Sequence, residues 1–61
     1  MKHDDVIAQL ETVSEMLADR ALDVLREAAA AGAATRPEEE RRLTQARRAI
    51  EKAVGVLRTI A

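Results

Sequence analysis

The chain reads as an all-α protein: an antiparallel two-helix hairpin that dimerises into a four-helix bundle. Three observations lead there. Two stretches carry apolar residues at alternating steps of three and four, the period of one helix face. A single short segment punctuated by Gly32 and Pro37 separates them. The whole chain has 61 residues and no cysteine, so it lacks disulfide staples and is too small to cover two apolar stripes alone. Residues 1–61 therefore form one domain, with helix 1 expected over about 4–31, a turn at 32–35 and helix 2 over about 36–60.

Helix 1 is marked by Val6, Leu10, Val13, Leu17, Ala21, Val24, Ala28 and Ala31. Ile7 and Leu25 lie beside this stripe and widen it to an arc of about 140° at 100° per residue. A two-stranded coiled coil uses a narrower seam, so the helix should touch two neighbours. Asp4 or Asp5 is placed to cap its start and suits the positive end of the helix dipole. Gly32 is placed to end it in the left-handed conformation.

Helix 2 opens with Thr35-Arg36-Pro37-Glu38, the pattern of a capping box in which Thr35 and Glu38 each accept from the other's end of the first turn. Pro37 suits that first turn because its missing N–H costs nothing there. Glu39 and Glu40 suit the dipole. Beyond them Leu43, Ala46, Ile50, Ala53, Leu57 and Ile60 form a heptad seam, with Ala49, Val54, Val56 and Ala61 on its flanks. Each helix should be about 40 Å long at 1.5 Å per residue. Equal helices and a short turn imply antiparallel packing. The expected dimer core is Leu10, Val13, Leu17 and Val24 with Leu43, Ala46, Ile50, Ala53, Leu57 and Ile60.

Charge is unevenly divided. Residues 1–34 hold three basic and seven acidic side chains, and residues 35–61 hold seven basic and four acidic, within a net charge of −1. Glu11, Glu15, Asp19, Asp23 and Glu27 form an unbroken i, i+4 row, a spacing at which like charges cost about 0.2–0.5 kcal/mol per pair. This row is either a docking ridge for a basic partner or a solvated face compensated by helix-2 arginines, and compensation is the commoner use of such charges in bundles. On helix 2, Arg41, Arg48 and Lys52 cluster on the polar face, and Arg36, Arg47 and Arg58 lie on another flank.

The chain has no Phe, Tyr or Trp, which removes the stacking platforms of sequence-tolerant single-strand binding. Duplex DNA or structured RNA can be gripped through phosphates alone, although the acidic half argues against a dedicated binder. In architecture the expected dimer resembles the Rop family, plasmid copy-number proteins that are small hairpins dimerising into four-helix bundles and binding RNA hairpin pairs. That resemblance implies a regulatory binder of structured nucleic acid as the alternative function and transfers no residues, since no motif is shared.

Catalysis has no support. Ser14, Thr12, Thr44 and Thr59 have no neighbouring base within the chain. Neither helix holds a histidine for a bundle di-metal site. His3 could join the amino terminus in a square-planar Cu(II) or Ni(II) site, but one residue is a requirement that chance meets easily, and an N-terminal position that frays explains it as well. No metal and no cofactor are expected. Met16 and Leu22 lie off the stripe, and Gly55 stands mid-helix opposite the expected core, at about 1 kcal/mol relative to Ala. Gly55 marks either a close approach of another helix or a tolerated weak spot. No apolar run approaches a membrane span and no signal segment stands at the start, so the expected setting is the cytoplasm. The start at Met1 without a low-complexity tail reads as a complete chain. An Ala- and Arg-rich style suggests a bacterium with a GC-rich genome. The function expected is a protein-interaction or scaffolding module whose partners are itself and, secondarily, another helical protein.

Overall fold

The structure, a computed structural model, describes residues 2–60. Two helices, α1 (Asp4–Ala30) and α2 (Glu38–Arg58), pack against one another as a hairpin. The molecule is a rod of 47 × 14 × 9 Å. No helix among the described residues is long and apolar enough to cross a membrane.

The end of α1 follows the expected glycine stop. Gly32 takes φ +81°, and its N–H donates to Ala29 while the Ala33 N–H reaches back to Ala28 at 2.9 Å. These two bonds are the Schellman arrangement, which satisfies the last carbonyls of the helix. At the start, His3 occupies the N-cap position with no side-chain capping bond, and its carbonyl accepts from Ile7 at 3.0 Å. Asp4 and Asp5 sit inside the first turn and act on the dipole rather than as caps. His3 is half-buried at this position. The square-planar metal reading also needs Met1, which lies outside the described residues.

The capping box at Thr35 and Glu38 does not form. Helix α2 begins at Glu38, with Pro37 at the N-cap in extended conformation (φ −61°, ψ 145°) and no side-chain cap. The proline ring disfavours helical backbone at Arg36, so the helix cannot start there. The connection therefore runs over residues 31–37 and α2 spans 21 residues against 27 in α1. The helices are consequently unequal in length.

The packing line between the helices is displaced from the apolar stripes. On α1 the buried and half-buried positions are Ile7, Leu10, Ser14, Leu17, Ala21, Val24 and Ala28, a heptad with steps of three and four, together with Ala18 on its flank. On α2 the corresponding line is Glu40, Leu43, Arg47, Ile50, Val54 and Leu57, of which only Arg47 is exposed. Ile7, Ala21 and Val54 are the buried apolar residues, and no large side chain among the described residues is fully buried. Ile7 and Val54, placed on flanks by the sequence pattern, thus form the hairpin's own seam. Val6, Val13, Ala46 and Ile60, placed on the stripe, are exposed.

Gly55 faces open space: a Cβ there would meet nothing within 4 Å. No helix of the hairpin itself approaches it.

Candidate functional site: an open aliphatic face and its charged rims

The displacement of the seam divides the hairpin into two unlike sides. Turning each helix by 100° per residue puts Ile7, Ser14 and Ala18 on one flank of the α1 packing line and Val6, Val13 and Arg20 on the other. On α2 it puts Glu40, Thr44 and Arg58 on one flank and Ala46, Ala53 and Ile60 on the other. In an antiparallel pair equivalent flanks fall on the same side. A groove lined by Glu11, Ser14, Ile50, Glu51 and Val54 joins the first flanks. A depression lined by Arg20, Asp23, Val24, Glu27, Glu39 and Leu43 joins the second.

The first side is closed by polar contacts. Arg58 Nη2 donates to Glu11 Oε1 across the hairpin at 3.4 Å. Arg47 pairs with Glu51 at 3.3 Å along α2. The third contact is the Arg36–Glu40–Thr44 cluster. Glu40 is only 4 % exposed, and a buried carboxylate is tolerable only when paired and hydrogen-bonded. Arg36 supplies a two-pronged grip, Nε to Oε2 and Nη2 to Oε1 at 2.9 Å, and Thr44 Oγ1 donates to Oε1 at 2.8 Å. The 36, 40, 44 spacing puts all three side chains on one stripe of the chain around the first turn of α2. Treated as one member of a dipole-friendly acidic run, Glu40 gave no hint of burial in the sequence. Its place on the 40, 43, 47, 50, 54, 57 heptad was the signal that would have found it.

The hydrogen bond from Arg36 holds the Glu40 carboxyl below the usual glutamate range. Burial opposes this, and the Thr44 hydroxyl and the charges of Arg36 and Arg41 add to the lowering. The folded-state pKa lies below the unfolded value, so Glu40 contributes stability above the ordinary glutamate pKa. That contribution is lost as the pH falls through the depressed value. Urea midpoints of the wild type and of Glu40→Gln are therefore expected to differ most near neutrality and to converge as the pH falls below the ordinary glutamate range. Midpoints that keep a constant separation down to acid pH would contradict this role.

The second side is aliphatic toward the chain ends, and toward the turn it also carries Arg20, Asp23, Glu27 and Glu39 around Val24 and Leu43. Val6, Val13, Ala46 and Ile60 are exposed on it, and Leu10, Leu17, Val24, Leu43, Ile50, Ala53 and Leu57 are half-buried along its floor. Each of the ten residues expected to form a dimer core is thus placed on this face or on the line bordering it, and none is fully buried by the hairpin itself.

The acidic row does not form a flat ridge. An i, i+4 row drifts by 40° per step at 100° per residue, so Glu11 and Glu15 lie at the closed side, where both line its groove, Asp19 on the back of α1, and Asp23 and Glu27 at the rim of the open side. Glu11 takes Arg58. Glu15, Asp19, Asp23 and Glu27 make no ion pair among the described residues, so helix-2 arginines compensate only one end of the row within the hairpin. Arg41, Arg48 and Lys52 lie on the outer back of α2, all exposed, and also make no ion pair among the described residues. Met16 and Leu22 are exposed on the outer surface of α1. Among the described residues, no group of three or more His, Cys, Asp or Glu is gathered as a metal site.

The chain matches no protein-family model, no curated protein and no solved structure.

Proposed function

We propose that the chain is a non-catalytic protein-interaction and scaffolding module that works as a homodimeric four-helix bundle, with the cytoplasm as its setting. The observation that carries this reading is the open aliphatic face. Two apolar flanks converge on one side of a hairpin whose other side is banked by ion pairs. Contiguous exposed aliphatic surface of this kind marks an interaction site. A second copy supplies a surface of matching length and character, and a two-fold pair buries both at once. The backs of the helices stay in water, α1 acidic and α2 basic, and present the surface on which other proteins dock.

A hairpin stabilised by association melts at a temperature that depends on its concentration. Thermal unfolding followed by circular dichroism is expected to shift upward as the protein concentration is raised a hundredfold. A melting temperature independent of concentration would contradict the proposal.

A second reading rests on Arg41, Arg48 and Lys52, which make no ion pair among the described residues and could grip the phosphates of a structured RNA or duplex without base contacts. It competes with the acidic back of α1. Binding to such a nucleic acid that weakens steeply with salt and is lost in Arg41→Glu with Arg48→Glu would favour it over docking of a protein.

A further inference from the structure

Resting on the dimer proposed above, we infer that the two hairpins associate with their turns at the same end, so that each α1 packs on the α2 of the second copy. A two-fold axis between two open faces has two orientations. Running along the helices, it puts both turns at one end and keeps every level of one chain against the same level of the other. Running across the helices, it puts the turns at opposite ends, with α1 against α1 and α2 against α2.

The open face is not uniform along its length, and this chooses between the two. Its half near the chain ends carries Val6, Val13, Ala53 and Ile60 on the flanks, and Lys52 borders it at the α2 margin beside Ala53, Val56 and Leu57. Its half near the turn carries Arg20, Asp23 and Glu27 from α1 and Glu39 and Arg42 from α2. Four of these five line one depression with Val24 and Leu43. Arg42 stands at the outer rim, where it already donates to Glu38 at 2.9 Å and remains exposed.

With the turns at opposite ends, the aliphatic half of each chain would cover the charged half of the other. Arg42 would then face the partner's Val56 and Ile60, and charges would be stripped of water without partners, which is costly. With the turns at the same end, Val6 and Val13 meet the partner's Ile60 and Ala53. At the charged half, Asp23 and Glu27 border the partner's Arg42. Asp23 and Glu27 make no ion pair among the described residues, and this arrangement puts the partner's cation beside them. Small residues also oppose long ones in this register, as Arg20 crosses above the partner's Ala46, which close packing of layers requires.

The chain has no cysteine, so Ala34→Cys in the exposed turn gives a single attachment point for a spin label. Molar mass and the intermolecular label distance are measured on the same sample by light scattering and pulsed electron double resonance. The expected result is a dimer with turn-to-turn distances of about two helix diameters, on the order of 20 Å. A dimer whose labels stand close to the full 47 Å length of the hairpin would overturn the same-end arrangement and leave the dimer intact. A monomeric mass with no intermolecular distance would overturn the dimer itself and this inference with it.

Discussion

Ile50→Asp is expected to leave the chain monomeric and largely without helical signal at room temperature. Ile50 lies on the packing line of α2, half-buried, where it lines the closed-side groove with Val54 and Ser14 and also borders the open face. An aspartate there loses the aliphatic contacts of both sides. It also puts an ionised carboxylate beside Glu11 and Glu51, which already hold the closed-side cations Arg58 and Arg47, and a half-buried charge of this kind costs several kcal/mol. Small domains hold only about 5–15 kcal/mol of stability, and this one buries few side chains. A two-fold dimer carries the change twice. Far-ultraviolet circular dichroism and light scattering read the outcome. Full helicity and a dimeric mass in this variant would refute the packing line. Leu17→Asp, at the corresponding position of α1, is expected to behave in the same way.

Val13→Asp and Leu22→Asp separate the open face from the rest of the surface. The two residues are almost equally exposed in the hairpin, 42 % and 45 %. If the hairpin were the whole functional unit, both changes would be ordinary surface substitutions within about 0.5 kcal/mol. Val13, however, stands on the open side, whereas Leu22 stands on the outer surface of α1 away from it. Covering the exposed part of Val13 against a second copy contributes about 1 kcal/mol per chain, an aspartate there adds the cost of a charge stripped of water, and the dyad doubles both. Val13→Asp is therefore expected to weaken self-association by about a hundredfold or more, while Leu22→Asp leaves the dissociation constant unchanged. Sedimentation over a dilution series reads both. Equal effects of the two variants would remove the distinction between the faces.

The hairpin itself was legible in the sequence because its punctuation is local. Gly32 stops α1 by a backbone conformation that its neighbours would resist, and the three-and-four spacing of aliphatics is a property of each helix alone. The seam was harder to read. Its heptads pass through Ser14 on α1 and through Glu40 and Arg47 on α2, and these polar residues hide the line from a search for aliphatic periodicity. The visible stripe, from Val6 and Val13 to Ala53 and Ile60, runs along the edge of the apolar arc rather than its contact with the other helix. Periodicity gives the width of an arc and not which edge meets which neighbour. The capping box failed for a related reason: Thr35 and Glu38 have the right spacing, but Pro37 between them sets the backbone. Arg36, freed from the helix, reaches forward to Glu40 instead. The charged row shows the same limit, since helical drift carries Glu11 and Glu27 to opposite sides of α1.

The central claim is that the open aliphatic face is covered by a second copy of the chain. Light scattering at several concentrations and two salt levels, with helicity recorded on the same samples, tests it most directly. A helical species of twice 6.7 kDa is expected at both salt levels, because aliphatic burial and not exposed charge holds the pair together. A species of 6.7 kDa at every concentration, helical or not, would contradict it.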